Sequence, residues 1–152
     1  MRKIEVDPRS VVLIRLLVGW VFLAEGILKF MRPEALGIGR FAKLGFVSPA
    51  FLAPFAGWVE IICGALILAG FFTRFACVPL LIDIVVAIVT TKLPILLGHG
   101  FWGLAGPTSK PFGWGTMLHE ARTDVSMLLG IVFLLIVGAG RWSVDSAIIE
   151  RR

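Results

Sequence analysis

Arg15, Glu25, Lys29, Glu60, Asp83, Glu120, Arg122 and Asp124 are acids and bases set within, or at the edges of, long apolar stretches. A charge near the centre of a bilayer costs roughly 2.5–3.5 kcal/mol even on the lenient insertion scale, so it faces protein or water and has a partner. These residues therefore mark the interior of a small helical bundle. The chemistry they offer is proton handling or the binding of a small molecule in a polar pocket.

Their spacing suggests how they group. Glu25 and Lys29 are i, i+4 on one helix, in the order that favours an ion pair. Glu60 is the acid best centred in its stretch and shares a helical face with Gly57 and Gly64, so a neighbouring helix can approach closely there. Its expected partner is Lys29 or Arg122, with Arg15 a remoter choice. Arg15 and Asp83 lie towards the other end of the bundle and form an expected inner pair. Glu120 and Asp124 are like charges at i, i+4, an arrangement that costs a few tenths of a kcal/mol on an isolated helix. They are expected to line a wet pocket with His119 and Arg122 at its edge, roofed by the segment from Phe101 to Trp114. The polar pocket thus comprises Glu25, Lys29, Glu60, His119, Glu120, Arg122 and Asp124. In the loop, His99, Trp102 and Trp114 are candidates for proton handling or ligand stacking, although interfacial anchoring is their plainer role. The bland alternative for the whole set is salt bridges that fix helix register.

Other chemistries find less support. A di-iron bundle uses Glu-x-x-His repeats on two helices, whereas Glu60 is followed three positions later by Cys63 and His119 precedes Glu120. No metal site is expected. Cys63 and Cys77 lack the Cys-x-x-Cys spacing and read as small core residues. No P-loop, dinucleotide fingerprint or nucleophile elbow is present, and no residue is assigned a catalytic role.

The elements that position these groups follow from composition. Of 152 residues, 58% are hydrophobic and 16% charged, so the solvent for most of the chain is lipid. The fold class is all-α membrane protein, one domain over residues 1–152. Four transmembrane helices are expected at about 10–31, 50–71, 75–93 and 118–140, with Pro94 ending the third and a tight turn at Thr73 and Arg74. A short interfacial helix is expected between Arg32 and Pro49, and a loop rich in glycine and aromatics from Pro94 to Met117 folds over one end. Met1, Arg2 and Lys3 resemble a signal n-region, but the apolar stretch after them is long and lacks a cleavage site, so the first span is expected to be retained. The net charge of +5 comes from Lys and Arg scattered singly, which suits anionic headgroups and argues against nucleic acid. Their bias places both termini, with Arg74, in the cytoplasm, and Lys110 on the opposite side.

The runs RLLVGWVFLAEGILKF and FAGWVEIICGALILAGFFTRFA and the later GAGRWSVD resemble the DoxX family of small bacterial membrane proteins across nearly the whole chain. The motif residues are Arg15, Gly19, Gly26 and Lys29; Glu60, Gly64, Gly70, Thr73 and Arg74; and Gly140, Arg141, Ser143 and Asp145. The resemblance implies a multi-pass protein of the bacterial inner (plasma) membrane. It also implies association with membrane oxidoreductase complexes, and a quinone as the cofactor at hand. The chain itself has no haem ligand pair, flavin motif or iron–sulfur cysteine set. The expected function is therefore membrane subunit or quinone-facing partner of an oxidoreductase assembly. The alternative is a non-catalytic structural or accessory subunit of a membrane protein complex. Partners are the lipid bilayer and membrane or oxidoreductase proteins, with self-association open. A small transporter is disfavoured, because four spans without an inverted repeat enclose little cavity.

Overall fold

In lipid, the backbone of a long apolar run can satisfy its own hydrogen bonds only as a helix. The computed structural model describes residues 9–100, 102–106 and 111–149, and among them there is no strand. In chain order the helices are α1 (Val11–Met31), α2 (Ile38–Leu44), α3 (Pro49–Ala69) and α4 (Thr73–Ala87), then a π-helical turn (Ile88–Lys92). α5 (Leu93–Leu97), α6 (Trp114–Val137) and α7 (Val144–Ile149) follow. Among the described residues, three stretches are long and apolar enough to cross a membrane: α1, α3 and the continuous run Thr73–Leu97. α6 has the length, at 24 residues, but carries Glu120, Arg122 and Asp124 in its first half.

Two expected boundaries are corrected. The third apolar helix does not stop at Leu93 before Pro94 but runs on to Leu97. The π turn widens the helix just before the proline, and Pro94 then falls in the first turn of α5, where its missing N–H is least costly. The hydroxyls of Thr90 and Thr91 donate to the carbonyls of Val86 (2.8 Å) and Ala87 (2.6 Å) in the same region. The reversal between α3 and α4 is made by Gly70 to Phe72, and Thr73 and Arg74 already belong to α4. Both Gly70 (φ 68°) and Phe72 (φ 48°) adopt left-handed backbone. For phenylalanine that conformation is strained and needs support from its surroundings.

The long helices close a ring in which α1 packs on α3, α3 on α4, α4 on α6 and α6 on α1. Val18, Phe22, Cys63, Ile67, Cys77, Leu80, Met127, Ile131 and Leu134 fill the centre. Leu13, Trp20, Phe55, Ile82, Leu129 and Ile136 face outwards, as lipid-facing side chains do. The α1–α3 seam is the closest approach. A Cβ on Gly19 would lie 2.9 Å from the Gly64 carbonyl oxygen, and one on Gly26 would lie 2.7 Å from that of Gly57. Matching glycines seven apart on antiparallel helices let two backbones touch, which fixes α1 against α3 in depth. That registration decides which charges meet.

Candidate functional site

Depth along the helices sorts the charges into two centres. Glu60 lies ten residues before Gly70, and Asp83 lies ten after Thr73. At 1.5 Å per residue both stand ~15 Å from the turn, halfway through a hydrocarbon core of ~30 Å. α3 and α4 are packed neighbours, so the two acids meet. Their carboxyls are within hydrogen-bonding reach of each other. Glu60 is 3% exposed and Asp83 partly buried.

The base comes from α1. Lys29 Nζ lies 2.5 Å from Glu60 Oε2 and acts electrostatically on Asp83 as well. Lys29 is near the end of its helix, where a lysine in lipid normally extends outward to the headgroups. Helical side chains tilt towards the N-terminus, and here that tilt carries the ammonium inward to the acid. Glu25 adds a further negative field at Asp83 from an exposed position on α1. The centre therefore holds two carboxyls in contact, one ammonium, and a third carboxylate nearby.

The other centre belongs to Arg15, also 3% exposed. Its Nε donates to Ile67 O (2.9 Å) and its Nη2 to Leu68 O (2.6 Å), at the end of α3. Its Nη1 donates to Ala139 O (3.2 Å) and Trp142 O (2.5 Å), in the chain after α6. The last carbonyls of a helix have no partner within it, and a guanidinium fork can bind several at once. Asp145 completes this knot from the other side, accepting from the N–H groups of Phe72 (2.9 Å) and Thr73 (3.3 Å) at the start of α4. Those two bonds hold the left-handed Phe72 in place. Gly70 is required here for space as well as for its φ, since a Cβ would meet Arg15 Cζ at 2.5 Å.

The expected Arg15–Asp83 pair is thus not formed. Arg15 is the fifth residue of α1, about 6 Å into the helix, and its side chain points back towards the N-terminus, away from the depth of Asp83. Nor is Lys29 held by Glu25; its ion pair is with Glu60, one of the partners expected for that acid. The wider polar pocket is divided. Asp124 pairs with Lys92, at 3.3 Å, and Arg122 Nη1 lies 2.8 Å from His119 Nδ1 on the exposed face of α6. Glu120 is exposed. Asp124 is thus neutralised by a base from the π turn, not drawn into a pocket with Glu120. His99, exposed, bonds the Gly100 carbonyl at 2.8 Å, and Trp102 and Trp114 are exposed. Ala105 N–H donates to Leu44 O (3.0 Å), so residues 102–106 lie against α2. Phe101 and Lys110 lie outside the described residues.

Sequence reasoning missed the joining of Asp83 to Glu60, although their equal distance from the reversal signals it. It also passed over Lys92 and the capping role of Asp145. Among the described residues no group of three or more His, Cys, Asp or Glu is placed to hold a metal ion. A cavity of about 70 Å³ adjoins Lys29, lined also by Phe30, Pro33, Gly37, Ile38, Ala53 and Pro54.

The DoxX family profile matches residues 10–93, the stretch that contains Arg15, Lys29, Glu60 and Asp83 and ends before α6. An uncharacterized membrane protein of Mycobacterium tuberculosis is 56% identical over 144 residues, covering 95% of this chain and 84% of the relative. No solved structure matches the chain.

Proposed function

The chain belongs to the DoxX family, and from that membership and its buried acids we propose that this integral membrane protein is the quinone-facing membrane subunit of an oxidoreductase assembly. The observation that carries the reading is the Lys29–Glu60–Asp83 centre at mid-depth. Reducing a quinone consumes protons along with electrons. A protein that faces the quinone pool from within the bilayer needs a group that holds protons where water is absent, and two carboxyls beside one ammonium are such a group. In this reading the electrons come from a partner subunit.

In this proposal the protein sits in the bacterial inner membrane with four spans and both ends in the cytoplasm. α6 runs antiparallel along α4 and the π turn, touching them from Arg74 Nη2 on Ile136 O (3.0 Å) at one end to the Lys92–Asp124 pair at the other. That packing along a spanning helix supports a fourth crossing by α6. α2, with Arg40 and Lys43 among apolar residues, lies in the opposite interface.

The alternative, a scaffold subunit without a ligand, has support from the Arg15–Asp145 knot, which is wholly architectural. Purification in mild detergent separates the two. The proposal expects a stoichiometric partner carrying a redox cofactor, together with extractable quinone that is reduced severalfold in Glu60→Gln. A stoichiometric complex with no quinone in any preparation would favour the scaffold.

A further inference from the structure

Two carboxylates can only accept hydrogen bonds, so carboxyl groups in contact are bonded to each other only when a proton lies between them. Lys29 supplies one positive charge to this centre, and Asp83 and Glu60 are two acids. The charges that face the pair from α1 are Lys29 and Glu25. α6 contributes Met127, Ile131 and Leu134 to the same core, all apolar, and its Asp124 is engaged with Lys92. One ammonium balances one carboxylate, and the second carboxyl keeps its proton.

The surroundings of that proton differ on the two sides. Towards Arg15 the core is closed by Val18, Phe22, Cys63, Ile67, Cys77 and Leu80, all buried. Towards α2, Lys29 also borders the cavity of about 70 Å³, which has room for a few waters. Its lining is apolar apart from Lys29, and the backbone around it leaves the space open. Gly37 presses onto the end of α1, where a Cβ would stand 2.5 Å from the Lys29 carbonyl oxygen, so the connection to α2 folds tightly over Lys29 without filling the space beside it.

We propose that Glu60 and Asp83 form a proton-binding site that holds one shared proton and exchanges it with one side of the membrane only, through Lys29 and the cavity beneath α2. A proton passes from Lys29 to Glu60, and Lys29 regains one from water in the cavity. The net change is one proton gained by the carboxyl pair and one lost by the water. Release follows the same steps in reverse. The proposal concerns the same centre as the quinone reading but does not depend on a quinone or on a partner protein.

Infrared spectroscopy of the full chain in phosphatidylcholine vesicles, transferred from H₂O to D₂O, tests it. The wild type should show the C=O band of a protonated carboxyl, shifting in D₂O. That band should vanish in Glu60→Gln and equally in Asp83→Asn, because either change leaves one carboxylate paired with Lys29. Ala53→Leu fills the cavity from within and Ile38→Trp crowds its exposed edge. Each should keep the band and slow its shift by about tenfold or more. Should Ala53→Leu fail to fold, Ile38→Trp alone decides the route. Absence of the band in wild type, or its loss in only one of the two acid variants, would overturn the shared proton. An unchanged rate in the cavity variants would overturn the route. A shared-proton band in protein that never binds quinone would leave this inference standing and defeat the proposed function. Bound quinone without the band would do the reverse.

Discussion

The two buried centres use charge in opposite ways. Around Arg15, one guanidinium meets the carbonyls of Ile67, Leu68, Ala139 and Trp142, and the nearby Asp145 carboxylate is itself engaged by two backbone N–H groups. Every partner is a backbone group at the end of a helix or in a reversal, so the charges serve to tie α1, α3, α4 and the tail together. Around Lys29, one ammonium meets the Glu60 carboxyl, which in turn lies within hydrogen-bonding reach of Asp83. No helix end is capped there, and the acids outnumber the base. A centre whose charges are consumed by backbone has no capacity left for chemistry. One with an acid in excess retains a proton that can be exchanged.

Substitutions should break this contrast in order of size. Arg15→Ala removes the donors to four carbonyls and should cost on the order of 4 kcal/mol or more, seen as a large fall in thermal midpoint in detergent or as absence of folded protein. Arg15→Lys should recover only part of it, because an ammonium lacks the planar fork that reaches both the end of α3 and the tail. Lys29→Met strands two buried acids and should cost about 3 kcal/mol. The double variant Lys29→Met, Glu60→Gln should regain much of that loss, a rescue that a purely steric role for Lys29 would not produce. Asp145→Asn keeps the shape but weakens a charged cap, and about 1 kcal/mol is expected in the same melt.

Much of this was legible in the sequence, and the part that was not has definite physical causes. Gly57 and Gly64 beside Glu60 announced a close helix contact, and Gly19 and Gly26 supply its other half. Lys29 was among the partners expected for Glu60. The Arg15–Asp83 pair failed because it was judged from which end of the bundle each residue occupies. Distance measured from the reversal at Gly70 to Phe72 puts Asp83 level with Glu60 and well away from Arg15. The helix beyond Pro94 was not legible, since proline ends most helices and only the preceding π turn, a rare geometry, lets this one continue. The dispersal of His119, Glu120, Arg122 and Asp124 was hidden for a different reason. Lys92 reaches Asp124 across a contact between α6 and the π turn, and no local spacing encodes that contact.

The most direct test of the central claim compares Glu60→Gln and Asp83→Asn with wild type in three readouts from the same cells: folded protein level, recovery of the partner complex, and quinone reduction by that complex. If this centre works with its proton while Arg15 holds the architecture, both acid variants keep protein level and complex recovery near wild type, because the amides preserve shape and Lys29 retains one carboxylate. Quinone reduction falls by about tenfold or more, the range expected for loss of a positioned proton donor. Quinone reduction at the wild-type rate in both variants would contradict the account, as would a loss of activity that merely follows loss of folded protein.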